Sequence, residues 1–155
     1  MKILVMSDSH GAKSALLKAA TVESPELILH LGDHDRDCVA LTSGFPEIPL
    51  RSVKGNCDGF SSGLVTDEFV LSGKRFFMTH GHAYRVKYGL NLIIEKAQAR
   101  EADILLFGHT HIPHYSLNDN LVIINPGSIS TGQKTYAVLN LSDDGVSCEI
   151  RNITE

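Results

Sequence analysis

Five short clusters of polar residues carry groups able to bind metal ions: Asp8-x-His10, Gly32-Asp33, Gly55-Asn56-Cys57-Asp58, His80-Gly81-His82 and Gly108-His109-Thr110-His111. Asp8 and His10 stand two residues apart, which lets a carboxylate and an imidazole share one ion. The bland alternative is a helix cap by Asp8 or Ser9 with an exposed His10. Asp33 follows a glycine that permits a sharp turn, and its two oxygens can bridge two cations. Asn56 offers a neutral amide oxygen and Asp58 can orient a neighbour, although the same residues also suit a tight turn with Asn56 left-handed. His109 and His111 point to alternate sides of an extended segment and can face two different metals. Five of the eight histidines fall in these clusters. His30, inside an apolar run, reads as a hydrogen-bonded core residue; His34 and His114 read as rim residues.

Each cluster needs an element to position it, and each follows an apolar run of strand length. Runs at 3–6, 27–31, 76–78, 104–107 and 121–124, with a shorter one at 50–53, read as buried strands. Helical spacing over 12–22 and 90–100 places Leu90, Ile93, Ile94 and Ala97 on one face of the second helix. Residues 136–141 and 146–150, around a turn at 142–145, predict an antiparallel hairpin, and 42–49 reads as a loop. Strand followed by helix predicts an α/β fold, in which strand ends on one edge converge on a common crevice.

With 155 residues, 43% of them hydrophobic, the chain is expected to form one domain. A net charge of −4 gives no broad attraction to polyanions, so nucleic acid is not expected as a stable partner. No membrane partner is expected either, because residues 1–6 are too short for a signal peptide and no run reaches transmembrane length. Cys38, Cys57 and Cys148 form no C-x-x-C pair, which predicts neither a disulfide framework nor a zinc ribbon and suits a reducing cytoplasm. The standard glycine-rich phosphate loops are absent, which counts against a nucleotide-binding module.

In order and spacing the five clusters resemble those of the calcineurin-like metallophosphoesterases, over nearly the whole chain. Cys57, the small size and Asn125-Pro126-Gly127-Ser128 resemble the compact prokaryotic phosphodiesterase branch, which also includes the eukaryotic retromer scaffold subunit. The resemblance implies one domain over 1–155: a four-layer α/β/β/α sandwich of two mixed sheets flanked by helices, with the site at the strand ends. It assigns Asp8, His10 and His111 to one metal, Asn56, His80 and His109 to another, and Asp33 as the bridge. Two divalent transition-metal ions are implied, manganese foremost, with Ni, Co, Fe or Zn as alternatives. The implied reaction is hydrolysis of a small phosphate ester, most readily a phosphodiester, by in-line attack of a metal-bridging hydroxide. Asp33, Asn56, Asp58 and His80 are the residues expected to carry catalysis.

Cys57 departs from the wider family, where a histidine at this position protonates the leaving oxygen. A thiol is a poorer acid for an alkoxide, which predicts slow turnover or a preference for acidic leaving groups unless His82 supplies the proton. The alternative is a protein–protein scaffold on the same fold, against which stands the full set of seven ligand positions. Lys54, Arg36 and Arg85 are candidate phosphate contacts or plain surface charges. Residues 125–128 are expected to shape the site floor, and 121–124, read as an edge strand, offers a route to a homo-oligomer.

Overall fold

A computed structural model describes residues 1–154, so the last residue of the expected 1–155 domain lies outside it. The strands are β1 (Lys2–Met6), β2 (Leu27–His30), β3 (Leu50–Ser52), β4 (Thr66–Leu71), β5 (Lys74–Thr79), β6 (Ile104–Leu106), β7 (His114–Asn118), β8 (Leu121–Asn125), β9 (Thr135–Ser142) and β10 (Gly145–Asn152). The helices are α1 (Lys13–Glu23), α2 (Cys38–Gly44) and α3 (Asn91–Ala99).

Alternation along the strands explains the layering, because successive side chains leave opposite faces. Ile3 and Val5 of β1 pack with Leu29, Phe76, Met78, Ile104, Leu106 and Leu139 in the core between the sheets. Leu4 and Met6 face the other way, onto Leu16, Ala19 and Ala20 of α1 and Leu41 of α2. Phe77, Leu105 and Ile123 likewise turn outward onto Ile93 and Ala97 of α3. Three apolar layers therefore separate four layers of structure, and the fold is the expected α/β/β/α sandwich.

One sheet has the order β10-β9-β1-β2-β3 and the other β4-β5-β6-β8-β7. β1, β2 and β3 run parallel, as do β5, β6 and β8, while β9, β10, β4 and β7 are antiparallel to their neighbours. The C-terminal end of each parallel strand leads into a polar cluster. The predicted hairpin is β9 and β10, extended by a residue or two at its ends.

Two expectations change. The 121–124 run is not an edge: β8 is paired on one side with β6 and on the other with β7, so that segment has no free ladder to offer a second subunit. The true edge, β7, is mostly exposed and polar, and so leaves no apolar run to detect. Part of the expected 42–49 loop belongs to α2, a helix of seven residues and too short to establish a period. β4, an exposed edge whose single buried residue is Asp67, likewise lacks the apolar pattern of a buried strand. Asp67 is held by the Arg51 guanidinium of β3, Nε at 2.8 Å and Nη2 at 3.2 Å, which ties the edges of the two sheets together. No helix among the described residues is long and apolar enough to cross a membrane.

Candidate metal centre

All five clusters meet where the parallel strands end. The Nε2 atom of His80 lies 3.4 Å from Asp33 Oδ2 and 3.8 Å from Asp8 Oδ1, and 3.2 Å from Nδ1 of His109. His10 Nε2 is 3.9 Å from Asp8 Oδ1 and 3.8 Å from Asp33 Oδ2. His111 Nε2 stands 3.0 Å from Asp8 Oδ1. Asp8, His10 and His111 thus form one potential ligand group, and Asp33, His80 and His109 a second. A third group joins His10 and Asp33 to Cys57.

Each carboxylate commits one oxygen to the protein and presents the other. Asp8 Oδ2 accepts from Ser7 Oγ at 2.5 Å and from the His109 amide at 3.2 Å. Asp8 Oδ1 is buried and accepts from no protein group, and His10 Nε2 is likewise buried without a partner. Asp33 Oδ1 accepts from the Cys57 amide at 2.9 Å, leaving Oδ2 toward His10 and His80. Buried polar atoms are rarely left unsatisfied, and unpartnered oxygen and nitrogen donors aimed at one point are what a cation requires. The residues present fit divalent metals.

The imidazoles are oriented from behind. His80 Nδ1 is 2.7 Å from the Leu31 carbonyl, which can only accept, so Nδ1 carries the proton and Nε2 faces the cluster with its lone pair. His111 Nδ1 is 3.0 Å from Thr131 Oγ1. Thr131 Oγ1 donates to Ser128 Oγ at 3.0 Å, and Ser128 Oγ donates to the Asp8 carbonyl at 2.9 Å. With the threonine proton given to Ser128, Thr131 accepts from His111 Nδ1, and the lone pair of His111 falls on Nε2. Two electron donors then face each other across 3.0 Å, His111 Nε2 and Asp8 Oδ1, a repulsion that a shared cation reverses.

Burial works to raise the Asp33 carboxyl, but His80 and the Cys57 amide outweigh it and hold Asp33 well below the usual carboxylate range. Burial favours neutral His80 with the Nε2 lone pair free, yet in the protonated ring a hydrogen bond from Nε2 to Asp33, with the charges of Asp8 and Asp33, raises the pKa overall. His109 is depressed to about 4 by burial, then by His80 and Lys87. Burial, followed by His80, also lowers His82, whose ring lies 5.5 Å from that of His80. The Cys57 thiol is pushed up by burial and then by Asp33.

Local backbone shape matches this function. Asp8, His10, Asp33, His109 and His111 all adopt left-handed φ, between 43° and 68°. Each such residue costs roughly 1–3 kcal/mol, and such strain concentrates at functional sites. Residues 55–58 do form a tight turn, closed by the Asp58 amide on the Gly55 carbonyl at 3.2 Å, but Asn56 is not among the left-handed residues. The helix-cap alternative fails: α1 is preceded by Ala12 with no side-chain cap, and Asp8 is buried. Close approach also requires glycine. A Cβ at Gly55 would sit 2.1 Å from Asp33 Oδ1, and one at Gly108 2.1 Å from Ser7 Oγ.

The remaining expected residues take different places. Asn56 is exposed beside the cluster, its amide nitrogen donating to Cys57 Sγ at 3.6 Å. Asp58 is buried and spends both oxygens on backbone: Oδ1 accepts from the His34 and Asp35 amides and Oδ2 from Gly55. It acts as a clamp between two loops. His30 is the core residue expected, depressed to about 4 mainly by burial, and it contacts Ser9 Oγ at 3.2 Å. His34 borders the site, its ring 5.1 Å from His10, whereas His114 lies on β7 against Ser116 Oγ at 2.7 Å. Arg85 stacks over Tyr88 and Lys54 donates to the Ser61 carbonyl.

Sequence reasoning missed the supporting hydroxyls Ser7, Ser9 and Thr131. Ser9 Oγ donates to buried Asp37, which also receives the Gly11 amide, and so fixes the chain between Asp8 and His10. Asn125, expected to help shape the site floor, does more than that. Its amide donates to the Gly108 carbonyl and to Thr110 Oγ1, both at 3.0 Å, and steadies the loop carrying His109 and His111.

Residues 1–144 match the calcineurin-like phosphoesterase superfamily domain. The chain belongs to this superfamily. This phosphoesterase is 33% identical over 156 residues to the probable metallophosphoesterase YsnB of Bacillus subtilis, covering 95% of this chain and 88% of that one. It is 28% identical over 160 residues to a phosphodiesterase of Methanocaldococcus jannaschii, covering 90% and 93%. A conserved protein of Streptococcus pneumoniae, described as a predicted phosphoesterase, superposes with a TM-score of 0.81 at 28% identity, covering 97% of this chain and 88% of that one. Wild-type Vps29 of Entamoeba histolytica, complexed with zinc, superposes at 0.73 with 18% identity, covering 99% and 100%, a likeness of fold. The phosphoesterase is accordingly a phosphoric ester hydrolase of a metal-dependent family.

Proposed function

We propose that the chain is a dinuclear-metal phosphodiesterase. Asp8, His10 and His111 would hold one divalent cation, Asn56, His80 and His109 the other, and Asp33 would serve both. The observation that carries this reading is the buried, unpartnered Asp8 Oδ1, which faces His111 Nε2 at 3.0 Å and His80 Nε2 at 3.8 Å. Divalent cations bound there would supply Lewis acidity for activating water and for offsetting charge on the phosphate oxygens.

The chain's own groups fix the geometry. Leu31 and Thr131 set the imidazole faces, while Ser7 and the Cys57 amide set the carboxylates. Asp58 keeps the loop bearing Asn56 against the loop bearing Asp33. With its thiol pushed up, Cys57 is a weak proton donor, which favours small phosphodiesters with acidic leaving groups. Mixed imidazole, carboxylate and amide donors suit transition metals. Manganese is the ion we propose, with Ni, Co, Fe and Zn for comparison. Free cysteines suit a cytoplasmic location.

The test is hydrolysis of bis(p-nitrophenyl) phosphate by metal-stripped protein with each ion restored, beside Asp33→Asn and His80→Ala. Turnover that returns with metal and falls by about 100-fold or more in both variants is the expected result. Stoichiometric metal binding by the wild type without turnover on any ion would overturn it.

A further inference from the structure

Beside the metal centre lies a cleft of about 500 Å³ lined by His34, Asp35, Arg36, Cys57, Phe60 and Ser62, among others. It opens from the loops that carry Asp33 and Asn56, so a group attached to a phosphorus at the metals would enter it. Its carboxylates are already engaged. Asp58 takes three backbone amides, and Asp35 accepts a hydrogen bond from Ser61 Oγ. Among the described residues, no hydrogen bond or ion pair engages the Arg36 guanidinium, and Arg36 is exposed.

Phe60 is the second free group. Its ring is fully exposed at 109% of the reference surface, although the backbone on both sides is tied down. The Ser61 amide donates to the Asp58 carbonyl at 2.9 Å, Lys54 Nζ donates to the Ser61 carbonyl at 3.3 Å, and the Ser61 hydroxyl reaches Asp35. An aromatic ring held on a cross-tied turn at the mouth of a polar cleft is a preformed stacking surface. Base–aromatic stacking is tolerant of base identity, and a free guanidinium pairs with phosphate through a two-pronged hydrogen bond.

Building on the phosphodiesterase reading, we propose that this cleft receives a nucleotide unit of the substrate, its base stacked on Phe60 and a flanking phosphate paired with Arg36. The substrate class is then a nucleotide-containing phosphodiester. The metals would act on one phosphorus while the cleft reads its neighbour.

Two measurements on the metal-loaded protein test this. The first compares kcat/KM for thymidine 5′-(p-nitrophenyl phosphate) with that for methyl p-nitrophenyl phosphate, which has the same leaving group and no nucleoside. Phe60→Ala is expected to lower the ratio of the two about tenfold, the size of one base stack, and Phe60→Tyr to restore it. The second is calorimetric titration with adenosine 3′,5′-bisphosphate and adenosine 5′-monophosphate. Arg36→Gln is expected to remove the preference for the bisphosphate. An unchanged ester ratio in Phe60→Ala, with both esters still hydrolysed, overturns the subsite and leaves the phosphodiesterase standing. If neither ester is hydrolysed with any metal, the underlying reading falls, and calorimetry alone then decides the cleft: equal affinities for both nucleotides in the wild type overturn it.

Discussion

His111 Nδ1 meets Thr131 Oγ1 at 3.0 Å, and through that hydroxyl one imidazole is anchored to the turn that follows β8. Threonine passes its own proton to Ser128, whose hydroxyl ends on the Asp8 carbonyl. One short chain of hydroxyls therefore positions two residues of the same ligand group from outside the metal clusters. Removing the hydroxyl in Thr131→Val is expected to weaken metal binding about 10- to 100-fold, and Thr131→Ser to retain it. Calorimetric titration of manganese into metal-stripped protein gives the answer, and equal affinity in Thr131→Val would show that the relay does not matter.

Gly108→Ala tests the close approach of the two sheets at the site. The added methyl would meet Ser7 Oγ at 2.1 Å and Asp8 Oδ2 at 2.9 Å, with the buried end of β1 unable to give way. Destabilisation by roughly 1–3 kcal/mol is expected in urea unfolding, together with loss of metal affinity.

Stability should also fall in acid for a reason remote from the metals. Glu23 is buried on α1 and bonded to Lys2, to the Tyr136 hydroxyl at 2.8 Å and to Arg151 at 2.8 Å. Burial opposes its charge, but these partners prevail and lower its pKa below the ordinary 4.5. A depressed carboxylate stabilises the fold above that ordinary value and ceases to as pH falls through the folded one. Glu23→Gln should be less stable than wild type by about 2 kcal/mol at pH 7, and the gap should narrow toward pH 3. Urea midpoints across that range measure it.

Replacing the thiol with an imidazole tests the missing acid. Cys57→His should raise kcat on a phosphodiester with a poor alkoxide leaving group by at least about tenfold, and alter the p-nitrophenyl ester far less. No gain on the poor leaving group would place the proton source elsewhere, with His82 the next residue to vary.

The α/β character and the metal clusters were legible because both are local signals. An apolar run such as 104–107 ending in Gly-His-Thr-His states its strand and its chemistry in eight letters. What stayed hidden depends on distant partners. Leu121 to Asn125 reads the same at an edge or in the middle of a sheet, and only the pairing of β7 decides it. Nothing in the Asp58 motif points to the His34 and Asp35 amides that Asp58 accepts from. Thr131 reads as a loop residue, since nothing near it in the chain points to an imidazole twenty residues earlier.

Left-handed backbone at Asp8, His10, Asp33, His109 and His111 also bears on how such a protein can age. Glycine at His10, His109 or His111 would relax the chain and remove a ligand in the same step, whereas Asp8 and Asp33 also hold backbone amides. A lineage released from selection for hydrolysis would therefore gain thermal robustness as it lost chemistry, because the strain lies beyond the strand ends and the sandwich core does not depend on it. In such a lineage, disappearance of the metal ligands would leave a sturdier fold, and a rise in melting temperature would mark a retired enzyme.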